Sequence, residues 1–152
     1  MKRLLITTIV LALALSMVLV SGTAFAKTQS KVVYVRVGST VKLETPVCHD
    51  GGYDLVLTRA INGQRVKIVD QYCICPPLPI YGGIATEVGV YKALSPGYTW
   101  LTLEERRSWE TNVPAANVTN WTIVILPAGS NTVPAPFPGA PAQRIPPGTV
   151  IY

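Results

Sequence analysis

The chain has 152 residues, 49% hydrophobic and only 14% charged, with 13 basic against 8 acidic side chains and a formal net charge of +5. Beyond an N-terminal leader about 126 residues remain, enough for one domain with its own core and too few for two. Arg106-Arg107 is the one basic doublet after residue 26, so the dense Lys/Arg stripe of a nucleic-acid binder is absent and no such partner is expected.

The opening run, "MKRLLITTIVLALALSMVLVSGTAFA", sets Lys2 and Arg3 before an uncharged apolar stretch and ends on small residues at the spacing of a signal peptidase site. It predicts a secretory signal over residues 1–26, cleaved after Ala26, and a secreted, periplasmic or cell-surface protein beginning at Lys27. Residues 4–26 are 23 uncharged positions, long enough to span a bilayer, so membrane attachment is the alternative if the segment stays uncleaved. Ser21, Gly22, Thr23 and Ala24 favour cleavage, because they thin the apolar run where a span stays greasy. With the leader gone, 11 basic residues face 8 acidic ones, a mild +3.

Strand signals follow in order. "VVYVRV" (32–37) and "TVKLE" (40–44) alternate about a Gly38-Ser39 turn, and "YDLVLTR" (53–59) alternates again. Asn62-Gly63 then carries a tight hairpin signal into "RVKIVD" (65–70). In "CICPPLPIYGG" three prolines forbid a central strand. Alternation resumes in "ATEVGVYKAL" (85–94) and "YTWLTLE" (98–104), and "NWTIVIL" (120–126) closes the series. About seven short strands with turn punctuation predict an all-β protein, an antiparallel β-sandwich. After the last strand, seven prolines fall within 21 residues, so the domain is expected to end at residue 126. Residues 127–152 form a Pro-rich tail, extended or disordered and dispensable for stability. "NVT" (117–119) and "NWT" (120–122) are glycosylation sequons.

Cys48, Cys73 and Cys75 lie in a chain bound for an oxidising space, where a disulfide is the default. Cys73 and Cys75 are too close for an unstrained mutual bridge, leaving Cys48 to pair with either. Adding His49, the sole histidine, gives four zinc-ligand types. Adjacent side chains at 48 and 49 point apart in an extended chain, however, so no metal and no cofactor are expected. The same adjacency argues against a Cys-His nucleophile, and no carboxylate pair recurs at a spacing suited to acid/base work, so no enzyme is expected.

On a sandwich, function sits in the end loops. "CHDGGY" (48–53) places Gly51 and Gly52 before Tyr53, "IYGGIATE" (80–87) places Gly82 and Gly83 before a long strand, and "EERRSWE" (104–110) places Trp109 among charges. A Trp with such neighbours is expected to be displayed. The order and spacing of these three loops, with "VRVGSTVKLETP" before them, resemble the chagasin-like inhibitors of papain-type cysteine peptidases over roughly residues 33–126. The family has an Asn-Pro-Thr-Thr-Gly-aromatic loop, a Gly-rich loop and an Arg-Pro-Trp loop. Gly52 and Tyr53 match the end of the first, Gly82 and Gly83 the second, and Arg107, Ser108 and Trp109 the third. Cys48, His49, Asp50 and Gly51 replace the Asn-Pro-Thr-Thr part, Ser108 replaces the proline, and Leu55 stands where a Trp is usual.

The resemblance implies an immunoglobulin-like sandwich whose loops plug a peptidase cleft reversibly, without covalent chemistry. The partner implied is a papain-like cysteine peptidase, and the protein is expected to be a monomer. Its contact residues would be Asp50, Gly51, Gly52, Tyr53, Gly82, Gly83, Arg107, Ser108 and Trp109. The competing reading is a non-inhibitory surface or adhesion sandwich whose loops are only turns.

Overall fold

The structure, a computed structural model, describes residues 26–59, 62–77, 83–135 and 143–152. The expected leader lies outside these residues apart from Ala26. Seven main strands follow the alternating segments: β1 (Lys27–Arg36), β2 (Thr40–Val47), β3 (Tyr53–Arg59), β4 (Val66–Ile74), β5 (Ala85–Ala93), β6 (Gly97–Arg107) and β7 (Asn117–Leu126). They form two facing sheets, β1-β7-β6-β3 and β2-β5-β4. The β-sandwich read from the alternation is therefore the fold of the chain. β1 pairs with β7 in parallel, with Lys27 opposite Asn117 and Arg36 opposite Leu126.

Period two decides what goes inside. On β2, Val41, Leu43, Thr45 and Val47 are buried while the residues between them are exposed. These meet Val35, Leu101, Trp121, Ile123 and Ile125 from the other sheet, with Val66, Tyr91 and Ala93 completing the core. Its polar exceptions answer each other: the Trp121 indole N–H donates to Thr45 Oγ1 at 3.2 Å.

The Asn62-Gly63 turn, which reads as a hairpin, is a crossover between sheets, and so is the Gly38-Ser39 turn. The Gly38-Ser39 turn carries the chain from β1 in one sheet to β2 in the other, and the Asn62-Gly63 turn carries it from β3 to β4, again between sheets. The turn chemistry itself is as expected, with Gln64 N donating to Asn62 Oδ1 at 3.0 Å and Arg65 N to Asn62 O at 2.9 Å. A tight turn fixes chain reversal, not pairing: β1 pairs with β7 and β3 with β6 in one sheet, and β2 and β4 both pair with β5 in the other. The prolines after Cys75 end β4 as expected, although the strand runs on to Ile74 through Cys73.

The tail is not a free appendage. Residues 127–135 and 143–152 lie over the outer face of the β1-β7-β6-β3 sheet and add two short strands, β8 (Thr132–Val133) and β9 (Gln143–Arg144). Val133 packs on Val124 and Leu126, which point away from the inter-sheet core, with Tyr34, Tyr98, Ile145 and Ile151 around them. The chain end then covers the open edge of β1: Tyr152 N donates to Tyr34 O at 3.1 Å, and Arg36 N donates to Tyr152 O at 2.8 Å. These contacts set against the dispensability expected from composition an apolar face of Val133, Ile145 and Ile151, which prolines that remove donors still leave.

Candidate functional site

Register alone gathers the three loops. Val47 lies opposite Ala85, Ile74 opposite Thr86, Tyr53 opposite Arg107 and Glu105 opposite Asn117. The β2–β3, β4–β5 and β6–β7 connections therefore leave the same end of the sandwich. The β1–β2 turn and the chain terminus sit at the other end, where Arg36 and Tyr152 are joined.

The first and third connections are built as one unit. Glu105, only 5% exposed, sits on the inward parity of β6 with Leu101 and Leu103. Its Oε1 accepts from Cys48 N at 2.9 Å, and its Oε2 accepts from the Asn117 side-chain amide. One carboxylate thus fixes the start of the β2–β3 loop to the start of β7. Arg107, the last residue of β6, donates from Nε to Gly51 O at 2.9 Å and from a terminal guanidinium nitrogen to Glu110 Oε1 at 2.9 Å. Its guanidinium also lies 4.4 Å from the Tyr53 ring centroid. The Glu110 hydrogen bond is the largest cause raising the Arg107 pKa, so the group stays cationic at the loop base.

On this base the opening aromatic of the third loop is displayed. Trp109 is 65% exposed, and the Cη2 edge of its ring lies against Gly52, so that a Cβ built on Gly52 would overlap the indole. Gly52 has φ +73°, where a side chain is strained, and its N–H donates to His49 O at 2.7 Å to close the turn His49–Gly51. Gly52→Ala is accordingly expected to lower stability by about 1–2 kcal/mol and to lift the indole off its seat. Thermal unfolding and tryptophan emission of the one variant check both parts.

Of the expected contact residues, Gly51, Gly52, Tyr53, Arg107 and Trp109 are in mutual contact. Asp50 and Ser108 are exposed on the same loops. Gly83 is half-buried just before β5, followed by Ile84, which is exposed near Cys48. Gly82 lies outside the described residues. Sequence reading missed Glu105, although its parity with Leu101 and Leu103 placed it inward.

The cysteine expectation needs correction. Cys48, Cys73 and Cys75 are all free thiols. β5 lies between β2 and β4, and at about 4.8 Å per strand these are roughly 10 Å apart, beyond the reach of a disulfide. The side-chain hydrogen bond between the Cys73 thiol and Cys75, which favours the protonated form of Cys73, is the main reason its pKa is pushed up to about 11. The structure brings the ligand atoms of His49, Cys73 and Glu87 within 4.8 Å of one another, a group that does not include Cys48.

No protein-family model matches the chain, and no curated protein matches it. Among solved structures, the cysteine protease inhibitor EhICP2 from Entamoeba histolytica superposes with a TM-score of 0.50 over 65% of this chain and 97% of that one, at 14% identity. The solution structure of amebosin gives 0.48 over 67% and 99% at 12% identity. PbICP-C, solved in complex with falcipain-2, gives 0.46 over 70% and 92% at 14% identity. At 14% identity the EhICP2 likeness is one of fold, and at that level it bears out the resemblance read in the sequence.

Proposed function

We propose that this protein is an exported, reversible inhibitor of papain-like cysteine peptidases, whose three-loop end enters the active-site cleft without covalent chemistry. The observation that carries the reading is Trp109, presented at the loop end on a glycine seat held by Arg107, Tyr53 and Glu105. A pre-formed aromatic projection loses little entropy on binding and desolvates a large area, which is the usual make-up of an interface anchor. The Gly51-Gly52 backbone beside it offers no side chain in a scissile position, so it can cover a catalytic thiol without being cut. The name of the fold neighbour EhICP2, a cysteine protease inhibitor, supports the same class of activity.

The test is inhibition of papain and a cathepsin L-like enzyme with a fluorogenic peptide. Trp109→Ala is expected to raise the inhibition constant tenfold or more, about 1.4 kcal/mol, while moving the thermal midpoint little because the ring is already exposed. A loss of stability that accounts for the whole loss of inhibition would make Trp109 a structural residue. Absence of inhibition by the unaltered protein at high micromolar concentration would promote the surface-module reading.

A further inference from the structure

We propose that His49, Cys73 and Glu87 form a zinc-binding site at the base of the loop end, with the fourth corner open to solvent beside Cys75. The site goes beyond the inhibitor reading and does not rest on it. Its three members come from separate parts of the chain. Cys73 on β4 and Glu87 on β5 are register partners, which places both side chains on one face of the sheet. The turn after β2 then brings His49 over that face, with Nε2 at 3.1 Å from Glu87 Oε1.

Orientation of the imidazole favours a cation. His49 Nδ1 lies 3.1 Å from Tyr53 O, a carbonyl that can only accept, so Nδ1 carries the proton. Nε2 lies 3.1 Å from Glu87 Oε1 with the Cys73 sulfur alongside, so in the metal-free protein a proton bridges nitrogen and carboxylate, and a cation binding there would take its place. Three electron-pair donors facing one point, with the far ring nitrogen tied to a backbone carbonyl, is the arrangement that holds a histidine ligand to a metal. Tetrahedral zinc with bonds of about 2.0–2.3 Å sets its ligand atoms roughly 3.5 Å apart. The observed spread of up to 4.8 Å closes to that by movements of about an ångström.

The donor set selects the ion. Thiolate, imidazole and carboxylate together suit zinc, whereas calcium and magnesium take oxygen ligands. On binding, the Cys73 thiol gives its proton to solvent and its sulfur forms the Zn–S bond. The ion would join the turn after β2 to the β4–β5 pair, where a disulfide had been expected to make a similar link.

Cobalt(II) is the probe, titrated into the reduced protein under inert gas. One equivalent is expected to give the strong visible bands of a tetrahedral ion and a thiolate charge-transfer band, both erased by stoichiometric zinc. Cys73→Ser should remove the charge-transfer band. His49→Ala and Glu87→Gln should each weaken binding tenfold or more, and Cys48→Ser should leave it unchanged. Cys73 is exposed, so its serine variant should fold, and far-UV circular dichroism of each variant checks this. The proposal is overturned if only the weak spectrum of octahedral cobalt appears. It is overturned equally if the charge-transfer band survives Cys73→Ser, or if His49→Ala and Glu87→Gln, correctly folded, bind like the unaltered protein.

Discussion

Deleting residues 127–152 is expected to lower the thermal midpoint by roughly 15 °C or more. Without the tail, Val124 and Leu126, now 2% and 0% exposed, face water on the outer side of the sheet, and Val133, Ile145 and Ile151 are lost with it. Two fully buried aliphatic side chains contribute about 1.5–3 kcal/mol each. Loss of the Tyr152 pairing with β1 and of the Arg36 hydrogen bonds to Ser130 O and Asn131 Oδ1 adds to this. About 4–6 kcal/mol in total, at a few degrees per kcal/mol for a domain of this size, gives the stated shift. Inhibition by whatever protein remains folded should be unchanged, because the described tail residues pack on the outer face around Val124 and Leu126 and on the β1 edge at Arg36, away from the loop end. A midpoint within about 3 °C of the full chain would show that the tail rests on the sheet without stabilising it.

The tail also shows what the sequence carried and where reading stopped. β2 and β6 were legible because each has one buried face, which alternation reports directly, whereas β3 and most of β4 alternate in sequence yet stay half-buried or exposed. β7 breaks the pattern: after "NWT" it runs "IVIL" with no polar position, and all four of these residues are buried. A run without alternation means a strand covered on both sides. The cover is the Pro-rich segment that composition alone had set apart. Glu105 was likewise within reach, since the period that buries Leu101 and Leu103 carries it inward. The loops' convergence was legible as an order of motifs, but their joining through Arg107 and Gly51 needed the register of β3 with β6.

The cysteines were not legible in the same way. The adjacency of Cys48 and His49 argued against a shared site of theirs, and no local pattern pointed to the grouping of His49 with Cys73 and Glu87. That grouping depends on Cys73 pairing with Glu87 across two strands, and no local pattern in "DQYCIC" or "IATEVG" specifies the register. The misread hairpin at Asn62-Gly63 has the same origin. A turn signal at Asn62-Gly63 is local, while the choice of sheet for β3 and β4 is made by burial across the whole sandwich.

Glu105→Ala should be the most damaging single substitution at the loop end, costing roughly 3–4 kcal/mol of stability and on the order of tenfold or more in inhibition. The stability loss follows from what the carboxylate satisfies: removing it leaves the Cys48 N–H and the Asn117 amide without their acceptor, at about 1–3 kcal/mol for each buried group. The inhibition loss follows from position. Cys48 begins the turn that ends in Gly52, and Gly52 is the seat of Trp109, so freeing Cys48 loosens the seat and adds an ordering cost to binding. Glu105→Gln separates hydrogen bonding from charge. Its carbonyl oxygen can take the Cys48 N–H, and its amino group can donate to Asn117 Oδ1 once that amide turns over. The Gln variant should therefore keep most of the stability and most of the inhibition. If it falls as far as Ala, the carboxylate acts through its charge and not as a double acceptor. If Ala loses stability while the folded fraction inhibits normally, the Trp109 seat does not depend on the Cys48 anchor, and the rigidity of the loop end must come from Arg107 alone.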